Sequence, residues 1–218
     1  MKKLLLSAIA AATFCVPAAF AGEDKVKTWR SYDSVGCMML RECQQGVDTV
    51  ISWESLGSGM EPFKEEIESI LTSLYGVGIK VYLADNHYFL PRMRGLYDVS
   101  GNNLFLNRYY IGEPTKMIQV LRHEGWHAAQ DCMAGTLDNT FTAIIHPEEK
   151  VPGWIRRGAE RTYPPNAVPW EAEAMWAMYS DTQTKTALEV CASSSKMWEV
   201  FQPTPLTAKW LKEQGFMN

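Results

Sequence analysis

His123-Glu124-Gly125-Trp126-His127 sits inside a run that opens at Gly112-Glu113-Pro114-Thr115 and reads as one helix to about Asp131. On a helix, positions i and i+4 share a face, so the two imidazoles can grip one metal ion. Glu124 follows His123 directly and projects beside that ion, where a carboxylate can take a proton from an activated water. Two ligands and a general base are thus gathered in one HExxH pattern. Gly125 inside the helix is unfavourable by about 1 kcal/mol relative to alanine, which predicts close packing or access at that point. Helical histidines at this spacing are also ordinary surface residues. The chain has only 4 histidines, however, and two of them stand at ligand spacing. His87 and His146 read as surface or core-edge residues, with His146 kept as a fallback ligand.

The surroundings of the motif suit an exported globular chain of one domain. Residues 1 to 21 read as a secretory signal peptide: Lys2 and Lys3 are its charged start, Leu4 to Val16 its apolar core, and Ala19-Phe20-Ala21 its cleavage site. The mature chain then begins at Gly22. Phe14 before Cys15 argues against a lipoprotein cleavage site. No later segment is apolar enough to insert in a membrane. The formal net charge of −4 becomes more negative once Lys2 and Lys3 are lost, and no basic tract remains. A nucleic-acid partner is therefore not expected.

Loss of Cys15 leaves Cys37, Cys43, Cys132 and Cys191, an even number that in an oxidising compartment implies two disulfides. The preferred pairing is Cys37 with Cys43 and Cys132 with Cys191. No Cys-x-x-Cys spacing supports a four-cysteine zinc site. A minor alternative lets residues 22 to 60 cover a cleft, with Cys37 or Cys43 as a latent ligand.

Upstream, residues 62 to 75 predict an amphipathic helix with Phe63, Ile67, Ile70, Leu71 and Leu74 on its apolar stripe and Gly76 at its end. Ile79 to Leu83 alternates as a strand buried on one face would. Arg94 to Asp98 and Leu104 to Asn107 flank Ser100-Gly101-Asn102-Asn103 as a strand–turn–strand unit. Residues 133 to 167 show no strong period and read as irregular chain with one short helix around Trp154. A last helix starts near Pro169 and carries Glu171-Ala172-Glu173-Ala174, and the tail from Ser195 to Gly215 has room for another short helix. Trp126, Trp170 and Trp176 read as core residues rather than sugar-stacking platforms.

From about Pro62 to Asp181, in order as well as in motif, the chain resembles the zincin metallopeptidases. That resemblance implies an α+β fold. Its helices would pack on a small twisted mixed sheet, with an edge strand over the cleft and the HExxH helix followed by a glutamate-ligand helix. Gly95 to Asp98 and Asn103 to Asn107 look like the strand pair that precedes the motif helix in several minimal members. Gln130 and Met133 stand where a metzincin would need glycine and histidine. Gly135-Thr136-Leu137-Asp138 matches an aspzincin fragment but follows the helix too closely for an easy return to the metal. Glu171-Ala172-Glu173-Ala174 is similar to the gluzincin pattern, with Glu171 at the ligand position. Glu173 points about 200° further round the helix, so the two cannot share the metal. Both glutamates could instead be a solvated helix start, where acids suit the positive dipole end.

The resemblance implies Zn2+ held by His123, His127 and Glu171, with Glu173 and His146 as the alternatives to Glu171. It implies hydrolysis of a peptide or protein substrate with Glu124 as the base. Arg157, Arg161, Tyr163 and Tyr179 are candidate oxyanion donors, and the sequence does not choose among them. Two other classes stay open: a catalytically idle zincin that binds a peptide or partner, and a disulfide-stapled interaction domain without metal.

Overall fold

Ile67, Ile70, Leu71 and Leu74 recur at helical spacing, and all four are buried in the structure, a computed structural model that describes residues 24–218, with side chains from Tyr32 onward. The signal-peptide reading lies outside the described residues. These side chains belong to helix α2 (Lys64–Gly76), which a short 3₁₀ turn at Glu61–Phe63 leads into. They pack beneath a four-stranded mixed sheet of β1 (Val47–Thr49), β2 (Lys80–Ala84), β3 (Gly95–Asp98) and β4 (Asn103–Asn107), in the order β1-β2-β4-β3. The β2–β4 pair is parallel and the other two pairs are antiparallel. The fold is α+β.

Both faces of the sheet are covered, which corrects the one-face reading of Ile79 to Leu83. Val81, Leu83, Tyr97, Leu104 and Leu106 join the main core with α2 and α3 (Pro114–Met133). Tyr82, Ala84, Leu96 and Phe105, on the alternate positions, meet Val35 and Met38 of α1 (Asp24–Met39) together with Tyr88 to Leu90 and Met93. Tyr82 and Phe105 face each other in register and stack at 5.3 Å. A polar-looking face is thus buried because a distant helix lies over it.

After α3 the chain forms α4 (Gly153–Thr162), α5 (Val168–Ala177), α6 (Gln183–Ala192), α7 (Met197–Val200) and α8 (Pro205–Glu213). The helix near Trp154, the helix from Pro169 and helix in the tail all occur where the pattern places them, whereas α6 was not anticipated. Cys37 pairs with Cys43, and Cys132 with Cys191, as preferred from the sequence. The second bridge ties the end of α3 to α6. No helix among the described residues is long and apolar enough to cross a membrane.

Candidate metal centre

Helix α3 runs through the middle of the protein, and nearly every residue from Met117 to Asp131 is buried. It is enclosed by the sheet, α5 and α6. Gly125 makes the α6 contact possible: a Cβ there would lie 2.9 Å from Thr184 Cγ2 and 3.4 Å from Leu188 Cδ1. Thr184 is in turn held by its hydroxyl, which donates to the Arg122 carbonyl at 2.8 Å. The close packing expected at Gly125 is therefore present.

Helix α5 crosses α3 so that Glu171 faces both histidines. Glu171 Oε2 lies 3.2 Å from His123 Nε2 and 3.6 Å from His127 Nε2. One ligand atom from each of the three residues falls within 4.8 Å of the others. Two ligands each ~2.1 Å from a tetrahedral ion stand ~3.4 Å apart, so these spacings fit one small cation. The three atoms are also buried without a well-formed hydrogen bond. Each such atom costs about 1–3 kcal/mol, and a shared cation satisfies all three at once. The charge balance agrees. Burial works against ionisation of Glu171, but His127 and His123 overcome it and hold the carboxyl down at about 2. Burial likewise opposes charge on His127, yet Glu171, Glu124 and the Gln130 contact raise it to about 9. The corner stabilises positive charge between its side chains. His123, His127 and Glu171 could hold a metal ion.

No family model, curated protein or solved structure matches this chain.

The other candidate ligands point elsewhere. Glu173 accepts from Gln130 Nε2 (2.7 Å), the Ile145 amide (3.1 Å), the Trp126 indole (3.5 Å) and the His146 amide. Burial nonetheless pushes its carboxyl up to about 7, with those donors opposing the rise. His146 lies between Trp126 and Trp176, with both ring centroids at 5.5 Å, and burial together with Lys150 lowers its pKa. Asp138 is exposed on the loop after α3, and His87 is exposed on a 3₁₀ turn beside Tyr88. Cys37 and Cys43 are consumed by their disulfide and present no thiolate. Trp126 is fully buried in the core, while Trp170 and Trp176 are half-buried.

Gln130 is a site residue that sequence reasoning passed over. Its amide nitrogen must face Glu173 Oε2 and the Trp170 carbonyl (3.1 Å), because both are acceptors. Its oxygen is then left to accept from His127 Nδ1 at 2.8 Å. That assignment puts the proton on Nδ1 and leaves the Nε2 lone pair for a metal. The signal was present three residues after His127, one helical turn on.

Glu124 is buried beside the triad, and its Oε2 has no hydrogen-bond partner. Burial raises its pKa, while His123, His127 and the Tyr97 backbone amide pull the other way. Gly95 on β3 makes room for it: a Cβ there would lie 2.7 Å from Glu124 Cγ and 2.8 Å from Oε1. Glu124 and His123 line a cleft of about 440 Å³. Tyr163 and Tyr179, two of the expected donors, line it as well. Arg157 and Arg161 do not, and their places are taken by Arg92, Arg94 and Tyr110. No local motif marks those three, because the turn before β3 and the turn after β4 bring them there.

Proposed function

We propose that this chain is an exported zinc-dependent peptidase of gluzincin-like design, with His123, His127 and Glu171 as ligands and Glu124 as general base. The observation that carries the reading is the convergence of three unpartnered ligand atoms with the unpartnered Glu124 Oε2 at the wall of an open cleft. Two histidines with one carboxylate form a donor set that zinc takes in hydrolases. Export is supported by the two disulfides, which persist in oxidising compartments.

When bound, zinc supplies Lewis acidity, lowering the pKa of a water towards ~7 and polarising a carbonyl. The chain's own residues do the rest. Glu124 Oε2 accepts the proton of the attacking water and returns it to the leaving amine, and the buried setting that raises its pKa favours both transfers. Gln130 keeps the His127 imidazole in one tautomer. Strand β3 is an edge strand, and the Arg94 carbonyl is turned inward to the Asn107 amide of β4 (2.9 Å). By alternation, Gly95 and Tyr97 turn their main-chain groups away from β4, and on that side the Tyr97 amide meets the Glu124 carboxyl and helps to position the base. Tyr163 and Tyr179 stand in the cleft as candidate donors to the developing oxyanion.

The deciding experiment is Glu124→Gln in the mature protein. Zinc content by mass spectrometry should stay at that of the wild type, while cleavage of a peptide library falls by roughly 100- to 10,000-fold. Unchanged turnover removes Glu124 from its role. A wild-type protein that carries no zinc under metal-replete conditions removes the reading altogether.

A further inference from the structure

We propose that the cleft selects substrates by a carboxylate, which Arg92 and Arg94 bind. The inference rests on the peptidase reading for its choice of a peptide ligand. It starts from the charges that line the cleft. Apart from His123 and Glu124, which belong to the metal corner, the ionisable lining consists of Arg92, Arg94 and three tyrosines. Among the described residues, neither arginine forms an ion pair. The contrast with other cations nearby is instructive. Arg122 is locked to Glu66 through two bonds of 2.7 Å, Arg108 to Asp85, and Lys116 to Glu113. The chain is acidic overall, with a formal net charge of −4, so two uncompensated guanidinium groups in one cleft run against its average.

Their placement is built into the backbone. Met93 between them is buried, which turns Arg92 and Arg94 to the opposite side of the segment, where both are exposed. The fully enclosed Asn107 fixes this segment from beneath. Its side-chain amide donates to the Met93 carbonyl (3.0 Å), and its backbone amide donates to the Arg94 carbonyl (2.9 Å). Arg92 itself sits at φ 72°, the left-handed conformation that the third residue of a tight turn adopts. The Met93 amide closes that turn on the Leu90 carbonyl (3.0 Å), with Pro91 at its second position, so the turn itself sets where the Arg92 side chain emerges. Arg94 lies 5.7 Å from the Tyr110 ring centroid, a contact that orients the guanidinium without consuming its hydrogen bonds. Two planar forks at one wall of a cleft match a carboxylate, which accepts paired hydrogen bonds. The same chemistry can come from a Glu or Asp side chain or from a free C-terminus.

The test uses zinc-loaded mature protein carrying Glu124→Gln, so that bound peptide persists, with matched pools of short degenerate peptides followed by fluorescence anisotropy. The pools differ only in a fixed central Glu or Gln and in a C-terminal carboxylate or amide. An acidic pool is expected to bind roughly tenfold or more tightly than its neutral counterpart. Adding Arg92→Ala and Arg94→Ala should erase that difference. A preference that follows the central Glu identifies a side-chain carboxylate, and one that follows the free terminus identifies the main-chain carboxylate. Against one further pool with a fixed central Lys, Arg94→Glu should shift preference towards that pool, a gain that a misfolded variant cannot show. Equal binding of acidic and neutral pools, at whatever affinity, overturns the proposal, as does an undiminished preference in the double alanine variant. Cleavage of the same pools by wild-type protein judges the peptidase reading separately: acid-selective binding without cleavage keeps the arginine site and discards the peptidase.

Discussion

Glu171 and Glu173 stand two residues apart on α5 and are 2 % and 1 % exposed, yet their surroundings differ in kind. Glu171 faces imidazole nitrogens and is held at about 2, while Glu173 faces four N–H donors and is pushed up to about 7. The spacing of about 200° sends them to opposite sides of the helix. Burial is common to both, so the partner atoms decide the role. A carboxylate among lone pairs calls for a cation, whereas one among donors serves as a clamp. Here the clamp holds Gln130 and the chain at Ile145 and His146, and Gln130 orients His127. The corner of His123, His127 and Glu171 and the scaffold corner are therefore linked through one amide side chain.

Substituting each glutamate in turn is the sharpest way to break the contrast. Glu171→Gln should weaken zinc binding by well over the roughly 100-fold that loss of an outer partner can cost. Glu173→Gln should stay within about 10- to 100-fold, both measured by competition with a chromogenic chelator. Equal losses would mean that the two carboxylates are not distinct in role. Calorimetry extends the comparison. With free zinc about a thousand times above Kd, the metal should stabilise the fold by about 4 kcal/mol, and chelation should remove that gain. Glu171→Gln should abolish the zinc-dependent increment. Glu173→Gln should retain it from a baseline lower by about 1–3 kcal/mol.

Two smaller effects test the scaffold around those corners. Gly125→Ala should cost about 1–3 kcal/mol, read as the shift of a urea midpoint, because its Cβ would press on Thr184. Thr184→Ser should recover much of this by removing the methyl group while keeping the hydroxyl that serves Arg122. A Gly125→Ala protein of undiminished stability would show that α6 does not hold α3 at this distance. Asp131 supplies a third buried carboxylate for comparison. It accepts from the Tyr97 hydroxyl at 2.7 Å, and burial raises it from 3.8 to about 7, with that hydroxyl opposing the rise. Because the folded value is the higher one, its contribution to stability is complete below the unfolded pKa and is lost as pH rises through about 7. Asp131→Asn should flatten that decline, so urea midpoints taken from pH 5 to pH 8 should fall less steeply than in wild type. An unchanged slope would assign the wild-type decline to other groups.

The motif helix, the strand pair and the α5 glutamates were legible because each depends on local spacing. Helical and strand periods are written in neighbouring residues, and an i, i+4 histidine pair needs no distant partner to be seen. What escaped was decided across the chain. Helix α6 has a weak apolar stripe of Thr184, Ala187 and Leu188, and its burial depends on a glycine in α3. Tyr82 looks like a solvent-side residue until α1 covers it. Arg92 and Arg94 carry no motif at all, since only the turn and the β3 register deliver them to the cleft. Gln130 stood in plain view as the residue that excluded one subclass, but its bond to Glu173 needed the crossing of two helices.

The Cys132–Cys191 bridge closes a loop with a sequence separation of 59, and Glu171 lies inside it, while His123 and His127 stand just outside. Such a closure removes roughly 4 kcal/mol of chain entropy from the unfolded state. Assembly of the three ligands is thereby tied to the history of the chain. While its thiols are reduced, bringing Glu171 to the histidines meets the full entropic resistance of a long free loop. After oxidation the path between them is shorter and part of that resistance is gone, so the bridge favours the arrangement that could hold a metal ion.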